Sequence, residues 1–134
     1  MAFEGSVEDR LSIRELIEAY SDAVFRRDEA ALAATWTDDG VWNLVGTEVV
    51  GKANIVAAWR QAMKEYTFTA FFSVPGDIRV VTRDCGTARV YASEYLVQAD
   101  GRIRHVIGQY NDSLFKSRGR WLFRRRIYHL LRDE

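Results

Sequence analysis

The chain has 134 residues, 48% of them apolar, and its 19 basic residues balance 19 acidic ones. That size suits a single domain, spanning 1–134, with a core of its own, and the zero formal charge excludes a broad phosphate-gathering field, so nucleic acid is not an expected partner. Cys85, the only cysteine, excludes an internal disulfide and a thiolate metal cage; His105 and His129 lack ligand-type spacing, so no metal is expected.

Residues 1–5 read as a loose tail, and Ser6 with Asp9 three positions later is a helix-start signal. Ile13, Leu16, Ile17, Tyr20, Ala23 and Val24 recur at helical spacing, which predicts one amphipathic helix running to about Arg27. Asp28 then caps a second, shorter helix carrying Leu32 and Trp36, which Asp38-Asp39-Gly40 ends before a strand over 41–45. Gly46-Thr47 turns the chain into 48–50. Gly51 opens a third helix with Ile55, Val56, Trp59, Ala62, Met63 and Tyr66 on one side.

From Thr67 onward the pattern becomes strands rich in β-branched and aromatic residues, over 68–82, 87–98, 102–116 and 121–131. Val74-Pro75-Gly76 interrupts the first of these, because proline removes a ladder donor and glycine permits a bulge. Turns fall at Asp84-Cys85-Gly86, Ala99-Asp100-Gly101 and Ser117-Arg118-Gly119, with Cys85 an inert turn thiol. Helices followed by hairpins indicate an α+β domain, its helices covering one face of a curved, mostly antiparallel sheet. With no long apolar span and no signal-peptide pattern, the expected location is cytoplasmic and no membrane partner is expected.

The run Trp36-Thr37-Asp38-Asp39-Gly40-Val41-Trp42, with Gly108-Gln109-Tyr110-Asn111-Asp112-Ser113-Leu114-Phe115-Lys116 and Gly119-Arg120-Trp121-Leu122-Phe123-Arg124-Arg125-Arg126 later, resembles the SnoaL-like branch of the NTF2-like superfamily. The resemblance covers nearly the whole chain. It implies an NTF2-like cone in which three N-terminal helices close a curved sheet around a pocket, and a homodimer or homotrimer formed through the sheet. It also implies a cofactor-independent lyase, dehydratase or isomerase acting on a small hydrophobic, aromatic or polyketide-like molecule. Such relatives pair a helix aspartate with a strand histidine as a proton-transferring dyad. Here the aspartate position falls on Phe25 and the histidine position near Ser73, neither of which exchanges protons near neutrality.

Register borrowed from the resemblance aims Tyr20, Trp42, Glu94, Tyr110, Arg126 and Tyr128 into the pocket, with Phe72, Ala92 and Val106 as apolar wall. Strand parity agrees, since Ala92 and Glu94, Val106 and Tyr110, and Arg126 and Tyr128 are evenly spaced pairs. On this reading Tyr20 and Glu94 are candidate acid and base and Arg126 stabilises developing negative charge. Phe25, Trp42, Phe72, Ser73, Val106, Tyr110 and Tyr128 are the candidate substrate contacts. Unpartnered, Glu94 would have a pKa raised towards neutrality; opposite Arg126 it would stay ionised. The aromatic side chains either fill a solid core or line a hollow chamber. Arg104 is expected at the pocket mouth, Asp22 in solvent or a local cap, and His105 and His129 on the outer face, although a bulge near its strand end would turn His129 inward. A non-catalytic binding or accessory protein that kept the cone and lost the dyad is the alternative function.

Overall fold

Ser6 starts the longest helix by accepting a hydrogen bond from the Asp9 amide at 3.1 Å, with Glu8 and Asp9 placed at the positive end of the helix dipole. The computed structural model describes residues 2–134. In it the chain runs β1 (Phe3–Glu4), α1 (Val7–Arg26), α2 (Glu29–Ala33), β2 (Trp36–Leu44), β3 (Thr47–Val50) and α3 (Lys52–Met63), then β4 (Tyr66–Val80), β5 (Cys85–Gln98), β6 (Ile103–Ser117) and β7 (Arg120–Asp133). The apolar stripe of α1, from Ile13 to Val24, is buried, as the spacing predicts. Arg27 ends the helix in the left-handed region, and Asp28 caps α2 through the Ala31 amide at 3.0 Å.

The strands form one open sheet in the order β1-β4-β5-β6-β7-β2-β3. Pairing is antiparallel except between β1 and β4 and between β2 and β7. Helix α1 packs across β4 and β7, and α3 against β2, so the helices cover one sheet face around a core centred on Ile17, Leu32, Trp36 and Phe123. This is the α+β, NTF2-like architecture expected. No helix among the described residues is long and apolar enough to cross a membrane.

Four local expectations need correction. Residues 3–4 are not loose tail: Phe3 and Glu4 pair with Ile78 and Arg79 as an edge strand, while Met1 lies outside the described residues. Trp36 opens β2 instead of closing α2, and Asp38-Asp39-Gly40 is absorbed as an irregularity between the Trp36–Phe123 and Val41–Arg125 pairs. A Cβ at Gly40 would come within 2.8 Å of the Trp36 ring, so glycine lets the strand fold back over that indole. Tyr66 begins β4 and Cys85 begins β5, because each pairs across the ladder, with Gln98 and Phe115. Arg27 also binds here, donating to the backbone oxygens of Met63 and Tyr66 and so tying the end of α1 to the α3–β4 junction.

Bulges decide which side chains look inward. In β4 the register slips between Pro75 and Asp77, so Phe71 is buried before the slip and Ile78 after it. In β6–β7 a slip between Ser113 and Leu114 puts Asp112 opposite Arg126.

Candidate active site

Between α1, α3 and the inner sheet face lies a chamber of about 220 Å³. Helix α1 contributes Tyr20 and Val24, α3 contributes Trp59 and Met63, and the sheet supplies the remaining wall. That wall is mostly apolar and aromatic. Among the described residues its charged side chains are Glu94, from β5, and Arg104, from β6.

Glu94 faces inward because it pairs with Phe71 on β4 and Val106 on β6, both of which are buried. No hydrogen bond or ion pair from the described residues holds its carboxyl group. Burial pushes its pKa from 4.5 up to about 7, against the opposing pull of the Arg104 charge. Arg104 cannot come closer because it is already engaged: Nε and Nη2 donate to the Asp133 carboxylate at 2.9 and 2.6 Å, and Nη1 donates to the Tyr66 hydroxyl at 3.2 Å. The Asp133 contact holds the guanidinium firmly protonated and keeps the Asp133 carboxyl below its ordinary range. The mouth is therefore close to neutral.

The phenols behave differently from Glu94. Burial raises Tyr20 and Tyr110 above the ordinary tyrosine range, and burial, then the Glu94 charge, pushes Tyr128 to about 12. All three keep their protons at neutral pH, so each hydroxyl is able to donate a hydrogen bond. The Tyr128 ring reaches across β6 because residue 108 is glycine; a Cβ there would come within 2.1 Å of the ring and 2.2 Å of its hydroxyl. Tyr110 and Tyr128 pack with centroids 4.9 Å apart, and Tyr20 meets Tyr110 edge-on at 6.5 Å.

Trp42 completes the wall on the β2 side. It is 6% exposed and its Nε1 is buried with no acceptor among the described residues. A donor left unpaired in this way costs about 1–3 kcal/mol.

Of the sequence-predicted residues, the structure gathers Tyr20, Trp42, Glu94, Val106, Tyr110 and Tyr128 around the chamber, with Arg104 at its mouth. Arg126 is a correction. It does not face Glu94 but binds Asp112 through Nε and Nη2 at 2.8 and 3.1 Å, both side chains being essentially inaccessible. Its guanidinium carbon lies 3.9 Å from the Tyr110 ring centroid, 4.1 Å from Phe123 and 4.5 Å from Tyr20, so it stands behind the chamber wall. Burial lifts the Asp112 carboxyl, but the two-pronged contact keeps the pair ionic.

Phe25, Phe72 and Ser73 also lie outside the chamber. Phe25 and Phe72 are 38% and 61% exposed and pack edge to face on each other at 5.2 Å. Alternation forces this outcome for Phe72, since its neighbour Phe71 takes the inward position. Ser73 shares the Phe71 face, yet its hydroxyl is committed at 2.6 Å to Ser21 on α1. Ala92 is buried in the same face without reaching the chamber. His105 bonds Ser93 at 3.0 Å and His129 bonds Asn111 at 3.3 Å, both exposed, and Asp22 pairs with Arg26 in solvent. Sequence reasoning missed Phe71, Tyr66, Asp112 and Asp133. Phe71 follows from its Glu94 partner once the β4 bulge is known; the acidic partners depend on long-range register.

The sequence profile of the SnoaL-like domain matches residues 5–127. The chain belongs to the SnoaL-like family. No curated protein matches it. This SnoaL-like chain is similar in structure to hexachlorocyclohexane dehydrochlorinase LinA-type3 from Novosphingobium barchaimii, with 15% identity, a TM-score of 0.87, and 96% and 90% of the two chains covered. It is similar to a ketosteroid isomerase-like protein from Erwinia carotovora atroseptica, with 23% identity, a TM-score of 0.84, and 95% and 99% covered. A candidate aromatic ring hydroxylase from Novosphingobium aromaticivorans superposes with a TM-score of 0.87 at 26% identity, covering 97% and 94%. At these identities the likeness of the SnoaL-like chain to its neighbours is one of fold, and chemistry must be argued from its own site.

Proposed function

We propose that the protein is a cofactor-independent lyase, dehydratase or isomerase for a small, uncharged, hydrophobic molecule of aromatic or polyketide-like kind. One feature carries this reading: the carboxyl group of Glu94, half-buried in an apolar chamber with no hydrogen bond or ion pair among the described residues, its pKa pushed up to about 7. At neutral pH both of its forms are populated. The carboxylate takes a proton from an acidic carbon of the guest; the resulting acid returns it to another carbon, completing an isomerisation, or to a leaving oxygen, completing an elimination. Tyr20, Tyr110 and Tyr128 are protonated donors for charge that develops on the guest, so Tyr20 serves as donor and not as base. The neighbours named for dehydrochlorination and isomerisation support the same class.

A binding protein without catalysis is the second reading, and Phe25 and Ser73 favour it, since neither exchanges protons where the resemblance implies an aspartate and a histidine. The two readings separate on 5-nitrobenzisoxazole, a planar probe whose ring opens when a desolvated base removes one proton. Wild-type protein should accelerate the opening, with a rate that rises as pH passes through about 7 and Glu94 becomes carboxylate. Glu94→Gln should lose about 100-fold or more of that rate. Equal rates in the two proteins would leave only the binding reading.

A further inference from the structure

The turn between β2 and β3 carries a residue that its backbone does not favour. Leu44 pairs with Thr47, which leaves Val45 and Gly46 as a two-residue turn with φ of 50° and 89°. Such turns favour asparagine or aspartate ahead of the glycine, because a β-branched side chain is crowded by its own backbone in the left-handed region. Valine gives the turn nothing in return: the Gly46 amide donates to the Asn43 side chain at 3.1 Å, and Val45 itself is 67% exposed. The β6–β7 hairpin shows the easier solution, with Arg118 and Gly119 at φ of 52° and 77° and an unbranched side chain in the first position. Arg27, the other such residue among those described, is held by its bonds to the backbone oxygens of Met63 and Tyr66.

What sets Val45 apart is its place at the chamber. The deep lining residues Tyr20, Phe71 and Tyr110 are almost inaccessible, whereas Val45 and Leu130, the latter 44% exposed, line the same chamber and stand open to solvent, so they mark its mouth. Ala62 and Met63 of α3 line it as well, which gives the mouth an apolar side facing away from the Arg104–Asp133 pair. An apolar cavity of about 150 Å³ holds one benzene ring, so a chamber of about 220 Å³ encloses one ring and part of a second. The remainder of a larger guest lies in the mouth.

We infer that Val45 is a specificity-determining residue, covering the part of the guest that the chamber cannot enclose and so selecting neutral molecules of two or three rings, or of one ring with an apolar extension. This deepens the proposed function and rests on the chamber being a site for a hydrophobic guest. Contact with such a guest removes the exposed valine from water and offsets the backbone strain that the turn otherwise bears without benefit.

The test uses N-phenyl-1-naphthylamine, a neutral three-ring fluorophore, and 1-naphthylamine, which lacks the phenyl ring and competes with it. Val45→Asn suits the turn and removes the apolar cover. It should raise the thermal midpoint and weaken the larger probe about fivefold, as expected for losing one partly buried apolar side chain, while changing the smaller by no more than about twofold. In wild-type protein with ¹³C-labelled methyls, the phenyl protons should show nuclear Overhauser contacts to the Val45 methyls, identified by their absence from the variant. The naphthyl protons should show contacts to those of Val106 in the chamber wall. Contacts to Val106 without any to Val45, an equal change for both probes, or a midpoint that does not rise would each overturn the inference and leave the chamber reading standing. If neither probe reaches Val106, both readings fall together.

Discussion

A carboxyl group that holds its proton until about pH 7 makes the fold less stable as the solution turns alkaline. Glu94 binds more protons folded than unfolded between its ordinary value of 4.5 and about 7, so its contribution is fully present below the lower value and is lost as pH rises through the higher one. Glu94→Gln keeps the shape and removes the charge that burial opposes. At pH 8 the variant should therefore be more stable than wild type by up to about 3 kcal/mol, and the gap should close near pH 5. Urea midpoints at the two pH values check this; identical midpoints at both would mean that the carboxyl is well solvated. Loss of rate together with gain of stability would mark a group kept for its chemistry.

At the scale of elements, β6 and β7 shape the chamber through one missing side chain. Gly108 gives up its Cβ so that the Tyr128 ring can cross the strand, and Gly108→Ala should push that ring aside at a cost of about 1–3 kcal/mol. The same substitution in a Tyr128→Ala background should cost much less, a coupling that thermal denaturation of the four proteins would reveal. Helix α1 was legible in the sequence because burial needs only the recurrence of Ile13, Leu16, Ile17 and Tyr20, while the inward aim of Glu94 came from register implied by the family resemblance, with which the alternation of β5 agrees. Pairing across strands was not legible. A hairpin ladder run straight back from Ser117–Arg120 would set Asp112 against Arg125, and only the slip at Ser113–Leu114 delivers Arg126 to it. The slip at Pro75–Asp77 likewise decides that Phe71, and not Phe72, looks inward. The β4 bulge is marked in the sequence by Pro75-Gly76, whereas the one at Ser113-Leu114 carries no such signature.

Across the whole molecule, the end of β7 controls the electrostatics of a chamber formed mostly by other elements. Asp133 neutralises Arg104, and Glu134 is zipped to His105 by two backbone hydrogen bonds of 2.8 and 2.9 Å. Asp133→Asn should free the positive field of Arg104, lower the pKa of Glu94 and move the pH dependence of the 5-nitrobenzisoxazole reaction to more acid values. An unmoved profile would show that Arg104 acts too weakly through solvent to matter. At the opposite rim of the sheet, β1 covers only Ile78 and Arg79 of a fifteen-residue β4. Arg27 occupies the carbonyl of Tyr66 at one end of the uncovered stretch, and Pro75 offers no amide at the other. A stray chain meeting that rim would find a template interrupted at both ends, an edge poorly suited to strand addition.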